Sequence, residues 1–144
     1  MINNDQPNVS QFLGPVPEKV AGGGDRRISD APIYDPDQLL ALAQAENVTF
    51  WSKGARRDAV KWSLDIPDVS RLVVAALQGG RFLRSEWCQS KAGGPWAACE
   101  AWIITQREWV ENASKYMDIT YYLKFAISRT GRILLMASNH PENT

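Results

Sequence analysis

The passage IPDVSRLVVAALQGG, residues 66–80, divides the chain into two parts with different hydrophobic periods. Val69, Leu72, Val73, Ala76 and Leu77 recur at i, i+3, i+4, i+7 and i+8, which predicts an amphipathic helix ended by Gly79 and Gly80. Beyond Gly80 the segments RFLRSEW, CEAWIIT and ITYYLKFAIS are rich in aromatic and β-branched residues, the composition of strands. SRTGRILLMAS places a short turn around Gly131, so Tyr122 to Ser128 and Ile133 to Ser138 form a hairpin, with His140 following the last strand. Helices first and strands later predict an α+β domain, its N-terminal helices packed on one face of an antiparallel sheet.

Two more helices are expected upstream. Asp35 suits an N-cap and Pro36 the first helical position, with Leu39, Leu42 and Ala43 on one face. VTFW reads as a short extended piece ending at Ser52, a second N-cap, before the helix KGARRDAVKWSL. Residues 1–33 mix Pro, Gly, Asn and charges without a sustained period. They read as a poorly ordered extension, or one whose few apolar residues dock on a partner or on the domain's own surface, ahead of a single domain over 34–144.

A chain of 144 residues is long enough for one domain with a real core. No run of about 18 apolar residues is present, and the N-terminus lacks a basic region followed by an apolar stretch, so neither a membrane span nor a secretory signal is expected. Cys88 and Cys99 lack metal-binding spacing and His140 is the single histidine, which argues against a Cys/His zinc site. The expectation is a reduced, cytoplasmic protein without a metal or other cofactor. Net charge is zero, but residues 1–37 hold three basic and six acidic groups, leaving the remainder at +3. Zero net charge therefore does not exclude a nucleic-acid partner.

The informative residues are polar ones set into the strand half. Alternation predicts Phe82 and Arg84 on one face of their strand and Leu83 and Ser85 on the other. Tyr122 and Lys124 share a face, and hairpin pairing brings them near the strand leading to His140. An arginine, a tyrosine, a lysine and a histidine on one sheet face suit metal-independent cleavage of RNA. The 2′-hydroxyl loses a proton and attacks the adjacent phosphorus, the phosphorane gathers negative charge, and the 5′ oxygen leaves with a proton. Arginine answers the charge with a planar, permanent cation. Histidine titrates near neutral pH and exchanges the proton. Tyrosine donates a hydrogen bond or stacks on a base. Each residue also has an ordinary role: cations protect half-exposed sheet faces from edge pairing, and Trp62, Trp87 and Trp102 suit packing better than base stacking.

The order DPDQLLALAQAENVTFWSKGARRDAVKWSLDIPDVSRLVVAALQGGRFLRSEW, then CEAW, then YYLKFAI and a final strand resembles the motility quorum-sensing regulator (MqsR) toxins over roughly residues 33–140. These are RelE-like messenger-RNA interferases of toxin–antitoxin modules. The resemblance places Arg84 of FLRS at the lysine of the family's F-Y-K-S motif. It places Tyr122 and Lys124 on the family's Y-L-K strand, and His140 at the catalytic lysine of its S-F-K ending. The family's functional glutamine falls on Cys99 if ACEAW is matched, beside Glu100 and Trp102, or on Ala97 if the match starts from Trp96; either way the glutamine is absent. The loop CQSKAGGPWAAC is either a plain connection between strands or a flap that closes over RNA with Lys91 and Trp96.

The resemblance implies a toxin endoribonuclease of messenger RNA, held in check by a cognate antitoxin protein, with Arg84, Tyr122, Lys124 and His140 as catalytic residues. The competing expectation is a catalytically inactive RelE-like fold that serves as a protein-binding module or inhibitor.

Overall fold

Capping residues set the three helices where the sequence places them. In the computed structural model, which describes residues 6–17 and 26–142, Asp35 accepts from the Asp37 amide at 3.0 Å and opens α1 (Pro36–Gln44). Ser52 accepts from the Ala55 amide at 2.8 Å and opens α2 (Lys53–Lys61). α3 (Ile66–Gly79) begins with a reciprocal capping box between Asp65 and Asp68. Its buried face carries Val69, Leu72, Val73 and Ala76. Gly80 ends α3 because of crowding rather than backbone handedness. Its φ is −90°, and a Cβ there would lie 2.4 Å from the Ile103 carbonyl oxygen and 2.8 Å from Ala76. Only glycine lets the chain turn from α3 straight into the sheet.

The sheet has six strands, β1 (Arg27–Ser29), β2 (Val48–Phe50), β3 (Arg81–Gln89), β4 (Trp96–Val110), β5 (Lys115–Ile127) and β6 (Leu134–Pro141), in the order β1-β3-β4-β5-β6-β2. All neighbours are antiparallel except β2, which runs parallel to β6. Leu39, Val69, Leu72 and Val73 of α1 and α3 share one buried cluster with Leu123, Phe125 and Ile127 of β5. Three helices and a mostly antiparallel sheet make an α+β domain, the class the change of period predicts.

α2 runs along β6, next to the stretch that β2 leaves unpaired. There Ser52 Oγ donates to the Ala137 carbonyl at 2.7 Å and Asp58 accepts from the Asn139 amide at 3.1 Å. Side chains from the helix thus satisfy backbone groups that an open edge would expose.

Three expectations are corrected. Residues 6–17 and 26–33 are not a loose extension. Where β4 and β5 part beyond the Glu100–Phe125 pair, residues 7–11 fill the gap. Val9 N donates to Trp96 O and Gln11 N to Ile127 O, both at 2.8 Å, and Trp96 N donates to Pro7 O at 2.9 Å. Ser10 is fully buried, and its hydroxyl accepts from the Ala98 amide at 2.9 Å. Arg27–Ser29 then adds to the sheet as β1. Residues 1–5 and 18–25 of the expected extension lie outside the described residues.

The second correction concerns Phe82 and Arg84. The β3–β4 register skips a residue between them, so Phe82 pairs with Trp102 and Arg84 with Ala101. Trp102 pairs in turn with Leu123 on the core face, and Ala101 with Lys124 on the opposite face. A bulge therefore puts Phe82 and Arg84 on different faces. Third, β6 continues through Pro141, so His140 lies within the sheet rather than after it.

β4 and β5 also outrun their neighbours. β3 pairing ends at Ile103 and β6 pairing at Tyr121, so residues 104–120 project as a two-stranded ribbon. Its tip exposes Trp109 and Tyr116, packed edge to face with centroids 5.4 Å apart.

Candidate active site

The sheet face opposite the α1–α3 layer carries two adjoining rungs of polar side chains. One rung runs Arg84–Ala101–Lys124–Ser138 across β3, β4, β5 and β6. The next runs Arg81–Ile103–Tyr122–His140. Ala101 has only a methyl group and is fully covered, which leaves the space above it to the longer side chains on either side.

Arg84, Tyr122, Lys124 and His140 come together there. Arg84 Nη2 donates to Tyr122 Oη at 3.2 Å. The Tyr122 ring stacks on the His140 imidazole with centroids 5.5 Å apart. Lys124 Nζ lies 5.6 Å from the centre of the same tyrosine ring. The bulge at Leu83 makes this possible, because strict alternation from Phe82 would have turned Arg84 into the core face.

A fifth group joins them. Glu86 Oε1 accepts from Arg84 Nε at 2.8 Å and lies 3.4 Å from Lys124 Nζ. One carboxylate thus fixes two cations in place. Its signal was in the sequence: two residues past Arg84, Glu86 shares the arginine's face. Burial works against the Lys124 charge, but the fields of Cys88, Tyr122 and Glu86 outweigh it and hold the lysine pKa above its usual range. Burial likewise opposes the Arg84 charge, and Tyr122 and Glu86 more than compensate. Both cations persist across the neutral range.

His140 Nδ1 lies 2.9 Å from the Pro141 carbonyl oxygen. A carbonyl can only accept, so this contact places the proton on Nδ1 and leaves Nε2 to exchange a proton with a ligand.

The residues that the resemblance set at the missing glutamine lie on this same face of the sheet but are covered and carry no amide. Cys99 and Ala97 are both fully buried. Cys99 pairs across the ladder with Glu86, and its thiol is pushed up well above the usual range by burial. Hydrogen bonding with Cys99 holds the Cys88 thiol below its usual range. Both are free thiols.

Lys91 is exposed on the β3–β4 turn, where Gly93 supplies a positive φ of 76°. The turn is closed by Ser90 N donating to Pro95 O at 3.0 Å and Gly94 N to Lys91 O at 2.9 Å. Trp96, expected to meet RNA beside Lys91, is buried. It is 5% exposed, packs with Trp87 and Ala98, and carries Arg26 5.1 Å from its ring centre. A base cannot stack on it, and its role is in packing. The segment 7–12 covers this region, and it carries no hydrophobic period in the sequence to announce that cover.

Among the described residues no group of three or more His, Cys, Asp or Glu side chains is arranged to hold a metal ion. No helix among them is long and apolar enough to cross a membrane.

The face can therefore hold an anion between two fixed cations, beside an imidazole with one ring nitrogen free and a tyrosine hydroxyl. Comparison of the chain with protein-family models, with characterised proteins and with solved structures found no match.

Proposed function

We propose that the chain is a metal-independent endoribonuclease of messenger RNA, the toxin of a type II toxin–antitoxin pair with a RelE-like fold, acting in the cytoplasm and neutralised by a cognate antitoxin protein. The single observation that carries this reading is the convergence of Arg84, Tyr122, Lys124 and His140 on one open sheet face. Its chemistry matches the demands of 2′-hydroxyl attack. Arg84 and Lys124 hold the scissile phosphate and offset the charge that builds on the phosphorane. Glu86 keeps both cations aimed. His140 Nε2 exchanges the proton: the 2′-oxygen forms a bond to phosphorus as it loses its proton, and the 5′-oxygen bond breaks as that oxygen gains one. The products are a 2′,3′-cyclic phosphate and a free 5′-hydroxyl.

The test is incubation of the purified protein with single-stranded RNA in excess EDTA, with analysis of the new ends. Cleavage to cyclic phosphate and 5′-hydroxyl ends is expected, along with growth arrest when the chain is expressed alone. Intact RNA and normal growth would overturn the reading in favour of an inactive binding module. Strict dependence on added magnesium would point to another mechanism.

A further inference from the structure

Beside the candidate site lies a cleft of about 470 Å³, between the start of α2 and the β3–β4 turn. Lys124 and Glu86 form its border with the site, and Arg26, Lys53, Arg57 and Lys91 complete its charged lining. Five cations thus face one carboxylate, in a chain whose net charge is zero. Glu86 is already shared by Arg84 and Lys124. Among the described residues no carboxylate pairs with Arg26, Lys53, Arg57 or Lys91. Crowding unpaired like charges around one volume costs free energy that an anion would recover.

The backbone adds to this. The cleft wall includes the first turn of α2, where the helix dipole favours negative charge. The first-turn amides of Lys53 and Ala55 are occupied, by Ser90 O and Ser52 Oγ. The Gly54 amide has no partner among the described residues, and glycine leaves no side chain in front of it.

We propose that this cleft is a second phosphate subsite, taking a backbone phosphate of single-stranded nucleic acid next to the one held at Arg84 and Lys124. The proposal rests on the ribonuclease reading, and it names how that site would hold a chain rather than a single nucleotide. Position supports it. Glu86 and Cys88 continue β3 from Arg84 toward the cleft, and each such two-residue step advances about 6.7 Å, a span that one extended nucleotide covers. The lining also argues for phosphate over base. Its one aromatic residue, Trp87, is 6% exposed and offers no face for stacking. Affinity from this subsite is therefore electrostatic and indifferent to sequence.

The test uses a fluorescent single-stranded 2′-deoxy oligonucleotide, which binds but lacks the attacking hydroxyl, and compares the wild type with Lys53→Ala/Arg57→Ala. Both positions are exposed on α2, and alanine is a good helix former, so the fold is retained. The double variant is expected to bind at least about tenfold more weakly, with the slope of log affinity against log salt reduced by about 1.4 for two lost contacts. Cleavage of a dinucleotide, which has only the scissile phosphate, should be unchanged. Equal affinity and equal salt slope would overturn the subsite. So would a loss confined to oligonucleotides with a 5′-terminal phosphate, which would make the cleft a receptor for chain ends. If wild type cuts no RNA yet the double variant still binds more weakly, the ribonuclease reading fails and the subsite stands.

Discussion

Tyr122 and His140 face each other across β5 and β6, their rings inclined by 29° and stacked with centroids 5.5 Å apart. The tyrosine has two separable roles. Its ring holds the imidazole, and its hydroxyl accepts from Arg84. Tyr122→Phe keeps the first role and removes the second, so RNA cleavage should fall by about tenfold, the size of one hydrogen bond to a charged group. Tyr122→Ala removes both and should fall further. Single-turnover rates on one RNA substrate would separate them. Equal rates for the two variants would show that the stack contributes nothing.

Arg84→Ala should lower cleavage by about 10²–10³, the usual effect of removing one preorganised donor from a developing charge. Arg84→Lys keeps the charge but loses the fork that bridges Glu86 and Tyr122, and should recover only part of the rate. The arginine side chain is 40% exposed, so its ion pair adds little to stability and both variants should melt close to the wild type. A variant that cuts at the wild-type rate would remove Arg84 from the site.

The N-terminal segment should contribute to stability. Ser10→Ala leaves the buried Ala98 amide without its acceptor, at a cost of about 1–3 kcal/mol. Deleting residues 1–13 should cost more, since it also strips partners from Trp96 and Ile127 and removes the Phe12 ring from Trp87. Urea titration of the three proteins would check both. A truncated chain as stable as the full one would mean that the segment only lies on the surface.

The contrast between this segment and the helices shows what a sequence makes legible. α1, α2 and α3 could be read because a cap residue and a 3.6-residue apolar stripe are local signals. Residues 7–11 hold their place through backbone hydrogen bonds and one serine hydroxyl, which leave no hydrophobic period. The face of Arg84 was hidden for a related reason. A bulge is a backbone event, and a shift of one residue reverses every side chain beyond it. Tyr122 and Lys124 precede the bulge in the β5–β6 register, and their shared face followed from alternation alone.

Alkaline pH should destabilise the fold through two tyrosines. Burial raises the Tyr34 pKa well above the usual value, and its hydroxyl donates to the Ala98 carbonyl at 2.5 Å. Burial and the Glu108 carboxylate raise Tyr121 in the same way. Both phenols bind their protons more tightly when folded. Their contribution is therefore complete below the unfolded value of about 10, and it is lost as pH rises from there toward the raised folded values. Tyr34→Phe should be less stable than the wild type at pH 7, having lost its hydrogen bond, and should lose less stability between about pH 9 and pH 11, the range around the ordinary phenol value. Denaturant midpoints across that range would test it, and parallel curves for the two proteins would contradict the linkage.

The last expectation concerns His140 as the proton-transfer group. Its Nδ1 is committed to the Pro141 carbonyl, so any proton exchanged with RNA passes through Nε2. His140→Ala should lower the cleavage rate by about 10²–10⁴, the usual size of an acid–base contribution. It should also remove one ionisation from the pH–rate profile. His140→Gln offers a side chain of similar reach that cannot titrate in this range; it should lose the same ionisation while retaining any part of the rate that comes from hydrogen bonding. His140→Lys adds a cation to the face and should stabilise the phosphorane without exchanging protons near neutrality, giving partial activity that rises at higher pH. The stack on Tyr122 is lost in all three variants, so a drop in rate alone does not separate proton transfer from positioning. The profile does. If His140→Gln kept the wild-type pH dependence at a reduced rate, the histidine would be holding Tyr122 and Arg84 in place, and the proton would have to travel by another group on this face, with Glu86 the first to test.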